Sequence, residues 1–223
     1  MKNVIARRLF RLSRDNAPHY LDCFLNLVRS GVDTKIARAF AWWWSVEMGA
    51  GCNFYGRPLF RREPGSVIRI GEKCEFRSAA WSNLVGINRP CVISTLRENA
   101  SLQIGHMCGF SGTVIGCASY ISVGDRTMCG ANVTITDTDW HAFDSRDRQA
   151  GQPASAAPVI IGEDVWLGMN VTVLKGVEIG SRTIVGAGSI VSRSLPPGVI
   201  AAGQPAVVIR SLDRNTRPAA MPA

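Results

Sequence analysis

The stretch between Ile135 and Ile161, TDTDWHAFDSRDRQAGQPASAAPVI over residues 136–160, gathers the side chains best suited to proton chemistry: His141 with Asp137, Asp139, Asp144 and Asp147. An imidazole titrates near neutrality. It can take a proton from a weakly acidic hydroxyl as that oxygen attacks, then return it to a departing group. One residue then serves both half-steps, and no covalent intermediate on the protein is required. Such a base needs a partner that fixes its tautomer. Asp137, Asp139 and Asp144 are all candidates, and the sequence does not choose among them. The other two histidines read as structural: His19 lies in a helical N-terminal segment and His106 at a bend.

A loop of 25 residues matters only if something rigid presents it. From Val159 the chain divides into sixes: VIIGED, VWLGMN, VTVLKG, VEIGSR, TIVGAG, SIVSRS. The third place is always aliphatic (Ile161, Leu167, Val173, Ile179, Val185, Val191), and glycine follows it in four of the six hexads. The phase recurs upstream with interruptions, at Ile70 and Phe76, Ile87 and Ile93, Ile104 and Phe110, and, after one inserted residue, Val123, Cys129 and Ile135. A period of six is neither helical nor that of a long alternating strand. It suits short strands joined by bends, with one aliphatic side chain per side pointing into a narrow interior. Three hexads make a triangular coil, and coils stack at the inter-strand spacing of ~4.8 Å. Each coil buries its interior only against its neighbours, so several must stack.

The string IGEDVWLGMNVTVLKGVEIGSRTIVGAGSIVSRSLPPGVIAAGQPAVVIRSL resembles the hexapeptide-repeat acyltransferases, in particular the galactoside, maltose and colanic-acid-type sugar O-acetyltransferase branch. The resemblance covers about residues 65–212. It implies an all-β solenoid, a left-handed parallel β-helix over 65–195 with a catalytic loop at 136–160. An N-terminal helical or capping segment (1–64) would precede it, and a C-terminal crossover and tail (196–223) would follow. The implied activity is transfer of an acetyl group from acetyl-CoA to a sugar or glycan hydroxyl in cell-surface polysaccharide or lipopolysaccharide synthesis. His141, in Asp139-Trp140-His141, would be the base, with Asp137 and Asp139 touching the acceptor. Ser111, in GFSGT, stands where galactoside-type members carry Asn, which leaves the sugar open. The family forms homotrimers and lays the pantetheine arm between adjacent subunits. The matching positions are Trp166, Gly168, Met169, Ala187 and Ser192, with Arg193 and Arg210 for the phosphates. Val207 occupies a second position that is basic in galactoside-type members. The alternative within the resemblance is N-acetylation of a nucleotide-linked amino sugar, although no G-x-G-x-x-G phrase marks a nucleotide-binding domain.

Composition narrows the rest. Seven Cys never form C-x-x-C and read as reduced, buried small hydrophobes in a cytoplasmic protein. With three His, none at ligand spacing from a Cys, no metal is expected, and zinc-dependent relatives are disfavoured. No run of 18 apolar residues predicts a transmembrane helix, and the basic N-terminus lacks the features of a secretory signal. Thirteen Lys/Arg against six Asp/Glu fall within residues 1–73. Nucleic acid is not expected, because no binding motif accompanies these charges. A peripheral inner-membrane contact through this basic region is a further candidate. Apolar residues at Leu21, Phe24, Leu25 and Val28, then Ile36, Ala39, Phe40 and Trp43, predict two helices separated at Gly31, with Asp33 capping the second. Of Trp42, Trp43 and Trp44, one or two should meet the first coil or a neighbouring subunit. The repeat stops at Pro196-Pro197, a short strand or helix is expected near Val207–Leu212, and the last residues read as a frayed tail.

Overall fold

The structure, a computed structural model, describes residues 13–212. The tail reading and most of the basic leader fall outside them. The chain winds as a three-sided prism. Its first side stacks β1 (Glu47–Met48), β4 (Val67–Ile70), β7 (Ser101–Ile104), β10 (Tyr120–Val123), β13 (Val159–Ile161) and β16 (Glu178–Ile179). The second stacks β2 (Asn53–Tyr55), β5 (Glu75–Arg77), β8 (Gly109–Ser111), β11 (Met128–Ala131), β14 (Trp166–Leu167), β17 (Ile184–Val185) and β19 (Val199–Gly203). The third stacks β3 (Leu59–Arg61), β6 (Val92–Thr95), β9 (Val114–Cys117), β12 (Thr134–Thr136), β15 (Thr172–Val173) and β18 (Ile190–Val191). Every pairing within these stacks is parallel. Only β20 (Ala206–Ser211) runs antiparallel, as a hairpin on β19.

The interior follows the hexad. Ile68, Leu102, Ile121, Ile161 and Ile179 fill the first side, and Ile93, Ile115, Ile135, Val173 and Val191 the third; all are buried. On the second side Phe54, Phe76 and Phe110 stack ring on ring at 4.9 and 5.0 Å before Leu167 and Val185 take over. The prism begins at Glu47, well ahead of residue 65, where the hexad phase first becomes visible. The early coils hide it by their length: Glu47 pairs with Arg69, 22 residues on, whereas Ile160 pairs with Glu178, 18 residues on.

The edge between the first and second sides is the tightest. Gly49, Gly71, Gly105, Gly124, Gly162 and Gly180 follow one another up this edge. A Cβ on Gly71 would lie 2.5 Å from the Gly105 carbonyl oxygen, so stacking itself demands glycine. Two residues further on, Lys73, Met107, Arg126, Asp164 and Arg182 turn the chain at positive φ. The thiols of Cys52, Cys74 and Cys108 donate to the carbonyls of Gly71, Gly105 and Gly124 in the next coil, each at 3.2 Å. Thr127 continues the ladder to Gly162 at 2.9 Å.

The N-terminal segment is one helix, α1 (Ala17–Trp43), not two. Gly31 sits inside it with open space around its Cα, so nothing forces a break there. Asp33 accepts from the Gly56 N–H at 2.9 Å instead of capping a second helix. Thr34 accepts from the Phe54 N–H at 3.0 Å, and Ala37 and Ala41 are buried against the first coil. The helix thereby covers the open end of the prism. Trp44 packs against the core, while Trp42 and Trp43 are exposed. Among the described residues no helix is long and apolar enough to cross a membrane.

Candidate active site

The edge from the third side to the first opens once, between β12 and β13, and emits the loop of His141. The base of this loop is zipped shut. Thr138 bridges Ala156 antiparallel, the Ala157 N–H donates to the Asp137 carbonyl at 2.9 Å, and the Gly176 N–H of the next coil donates to Ala157. Beyond it a short helix, α2 (Ser145–Gln149), is capped by Asp144, whose carboxylate accepts from the N–H groups of Arg146 and Asp147. Arg148 donates to the carbonyls of Ala142 and Phe143, which folds the tip back on itself. The loop is therefore an ordered flap held by its own backbone.

Two side chains fasten the flap to the coils on either side. Lys175, from the coil above, forms an ion pair with Asp139 and also reaches Ser155, whose hydroxyl donates to Asp139 at 2.8 Å. The Lys175 ammonium, with Ser155 beside it, holds the Asp139 carboxyl below the usual carboxylate range. Arg97, from the coil below, donates to the Ala154 carbonyl. Trp140 takes positive φ and lays its ring over Gly116, where a Cβ would come within 2.8 Å of Trp140 Cζ2. His141 follows directly and is exposed, lining a cleft of about 350 Å³ with Arg97, Ala118, Trp140, Arg148 and Gln152.

The aspartates divide in a way the sequence left open. Asp137 is fully buried and accepts from three consecutive backbone N–H groups, those of Ala118, Ser119 and Tyr120, at 2.6, 2.6 and 2.8 Å. It holds the edge turn of the preceding coil and cannot touch an acceptor, which corrects its assignment as a substrate-binding residue. Asp144 is spent on α2, and Asp139 on Lys175. Among the described residues no carboxylate is hydrogen-bonded to the His141 ring. His106 is structural as expected: its Nδ1 accepts from the Glu72 N–H at 3.1 Å.

The remaining sequence-derived positions fall into two groups. Gly168, Met169 and Ala187 lie at the edge between the second and third sides, one coil above another, with Trp166 exposed on the adjoining second side. A Cβ on Gly168 would sit 2.7 Å from the Ala187 nitrogen, so its smallness is required by stacking alone. Ser111 ends β8 at this same edge, buried, and does not line the His141 cleft. Ser192 and Arg193 lie exposed at the edge that carries the loop, two coils above its root, and Arg210 is exposed on β20. One chain thus places Ser111, Gly168, Met169 and Ala187 at one edge of its third side and Ser192 and Arg193 at the other. Sequence reasoning missed Lys175, Arg97 and Arg148. Lys175 had a signal, as the sole lysine after Lys73. The two arginines had none, because their place is set by the flap.

A three-sided parallel solenoid with a single flap bearing an exposed imidazole defines the class of hexapeptide-repeat transferases. The family described as bacterial transferase hexapeptide (six repeats) matches residues 158–193. The chain is 35% identical over 203 residues to the putative lipopolysaccharide biosynthesis O-acetyl transferase of Escherichia coli K12, covering 87% of this chain and 91% of that one. The chain belongs to this hexapeptide-repeat family of acyltransferases. It is 40% identical over 93 residues to the galactoside O-acetyltransferase of Escherichia coli K12, but those residues span only 45% of that protein and 42% of this chain. Among solved structures, the hexapeptide-repeat acetyltransferase of Vibrio cholerae aligns with a TM-score of 0.53 at 22% identity, over 90% of this chain and 94% of that one. This likeness is one of fold, the left-handed parallel β-helix.

Proposed function

We propose that the protein is an acetyl-CoA-dependent O-acetyltransferase acting on a sugar hydroxyl in cell-surface polysaccharide or lipopolysaccharide assembly, with His141 as general base. The observation that carries this reading is the exposed His141 imidazole, set in a cleft by a flap that Lys175 and Arg97 fasten from opposite sides. The near full-length likeness to a putative lipopolysaccharide O-acetyl transferase supports the acceptor class.

Acetyl-CoA supplies the activated thioester carbonyl. A ring nitrogen of His141 accepts the proton of the acceptor hydroxyl as it attacks and returns it to the leaving thiolate, so the protein ends the cycle unchanged. Trp166, Met169 and Ala187, all exposed around Gly168, form a strip at the edge between the second and third sides, where the family resemblance lays the pantetheine arm. Arg193 and Arg210 would meet phosphates. Because this strip and the His141 flap occupy different edges of one prism, a complete site takes the strip of one copy and the flap of another. A homotrimer, the assembly that the family resemblance implies, would bring the two together. A cytoplasmic, peripheral position belongs to the same reading, since α1 exposes Phe24, Trp42 and Trp43 on a basic segment.

The test is acetyl-CoA consumption across sugars, sugar nucleotides and lipid-linked oligosaccharides, with mass spectrometry of the product and light scattering of the protein. A hydroxylamine-labile ester and three chains per particle are expected. An amide product would transfer the reading to amino-sugar N-acetylation. A fully active monomer would remove the shared site.

A further inference from the structure

The residues lining the His141 cleft include two arginines and no carboxylate: Arg97, half-buried on the prism, and Arg148, on the flap. Neither guanidinium forms an ion pair among the described residues, although the surface elsewhere pairs its arginines readily, as Arg126 does with Asp164 and Glu163. Arg97 donates through Nη2 to the Ala154 carbonyl, and Arg148 through Nη1 to the carbonyls of Ala142 and Phe143. Each guanidinium carries five N–H donors in a planar fork, so most of that capacity is left over in the cleft that the imidazole also lines. The one acidic group beside the base in sequence, Asp139, is neutralised by Lys175 and lies outside the lining. The loop's other carboxylates with defined partners are turned to backbone, Asp144 to that of α2 and Asp137 to that of residues 118–120. The cleft is cationic, and nothing in its wall offsets it.

We infer that the acceptor is an anionic sugar, carrying a carboxylate or a phosphate next to the hydroxyl that is acetylated, and that Arg97 and Arg148 bind this oxyanion from the two walls of the cleft. The inference rests on the acetyltransferase reading above and narrows its substrate class. Planar guanidinium groups favour bidentate pairing with either oxyanion, which also fixes the orientation of the sugar against His141. A neutral hexose would leave both guanidinium groups without an ionic partner.

Calorimetric titration with glucose, glucuronate and glucose 1-phosphate measures binding apart from turnover. Glucuronate or glucose 1-phosphate should bind at least about tenfold more tightly than glucose, and the better of the two identifies the oxyanion. The preference should fall to near unity in Arg97→Gln with Arg148→Gln. Arg148→Lys, which keeps the charge and loses the fork, should retain part of it. Acceptor kcat/KM should follow the same order, with the loss chiefly in KM. Equal binding of neutral and anionic sugars, or an anion preference that survives the double substitution, would overturn the inference. Arginine-dependent anion binding with no acetyl transfer to any acceptor would instead uphold the site and defeat the acetyltransferase reading.

Discussion

Two edges of the same prism solve opposite problems. Between the first and second sides every coil turns in one way, with a glycine flush against the next coil and a residue at positive φ two places later; in all but the coil of Val165 a buried Cys or Thr follows and donates across the step. The glycines and the Cys and Thr donors of this edge are committed to the stack. Between the third and first sides the stack opens between β12 and β13, and the released chain carries His141, Trp140, Asp139 and Arg148. Regularity and reactivity are therefore kept on separate edges. The reactive one borrows its rigidity from the coils above and below, through Lys175 and Arg97.

Substitutions on the two edges should fail in different ways. His141→Ala should cut acetyl transfer by about a thousandfold while circular dichroism and particle size stay unchanged. Near-native turnover would free His141 of its role. Gly71→Ala, on the closed edge, drives a methyl into the Gly105 carbonyl. It should cost about 3 kcal/mol in a denaturant titration, with kcat preserved in whatever remains folded. Gly116→Ala makes the converse case. Its methyl's nearest neighbours are side-chain atoms of Trp140 and Leu96, not backbone. Stability should change by less than about 1 kcal/mol, while kcat/KM drops about tenfold as the Trp140 ring is displaced. If both glycines behaved alike, the contrast between the edges would be lost.

Lys175→Met leaves Asp139 without its cation. We expect faster amide exchange confined to residues 136–160 and a several-fold fall in kcat. An unchanged exchange pattern would show that the backbone zipper alone holds the flap. The smallest effect concerns acid. Lys175 depresses the Asp139 pKa, so the ion pair contributes while Asp139 stays ionised and is lost as pH falls through that lowered value. Flap exchange should rise on acidification in the wild type and be less sensitive in Lys175→Met.

The hexads made the prism legible because stacking admits few residue types at the inward places. Legibility faded where the physics allowed alternatives. The first coil, with Cys52, Phe54 and Phe60 as its inward residues, is longer than three hexads, and the period did not reveal it. Gly31 looked like a break because its propensity is poor, yet a helix docked on the first coil tolerates it. In the site, His141 was identifiable from its polar setting and its resemblance. Asp137 and Asp139, two residues apart in one polar string, could not be told apart. One faces three backbone N–H groups inside the prism and the other a lysine 36 residues away. The arginines of the cleft became visible only once the flap was folded.

The ladder of thiols has a practical corollary for anyone handling the protein. Six of its seven cysteines are buried. The neighbouring Cys108 thiol helps push Cys74 up to about 11, and burial beside Asp137 pushes Cys117 up to about 12. Thiols so placed hold little thiolate near neutrality and are slow toward maleimides and peroxide. Cys23, exposed on α1, is left as a ready-made handle. A fluorophore or spin label added to the unaltered protein would go to that helix, reporting from the end of the prism farthest along the chain from the final coil.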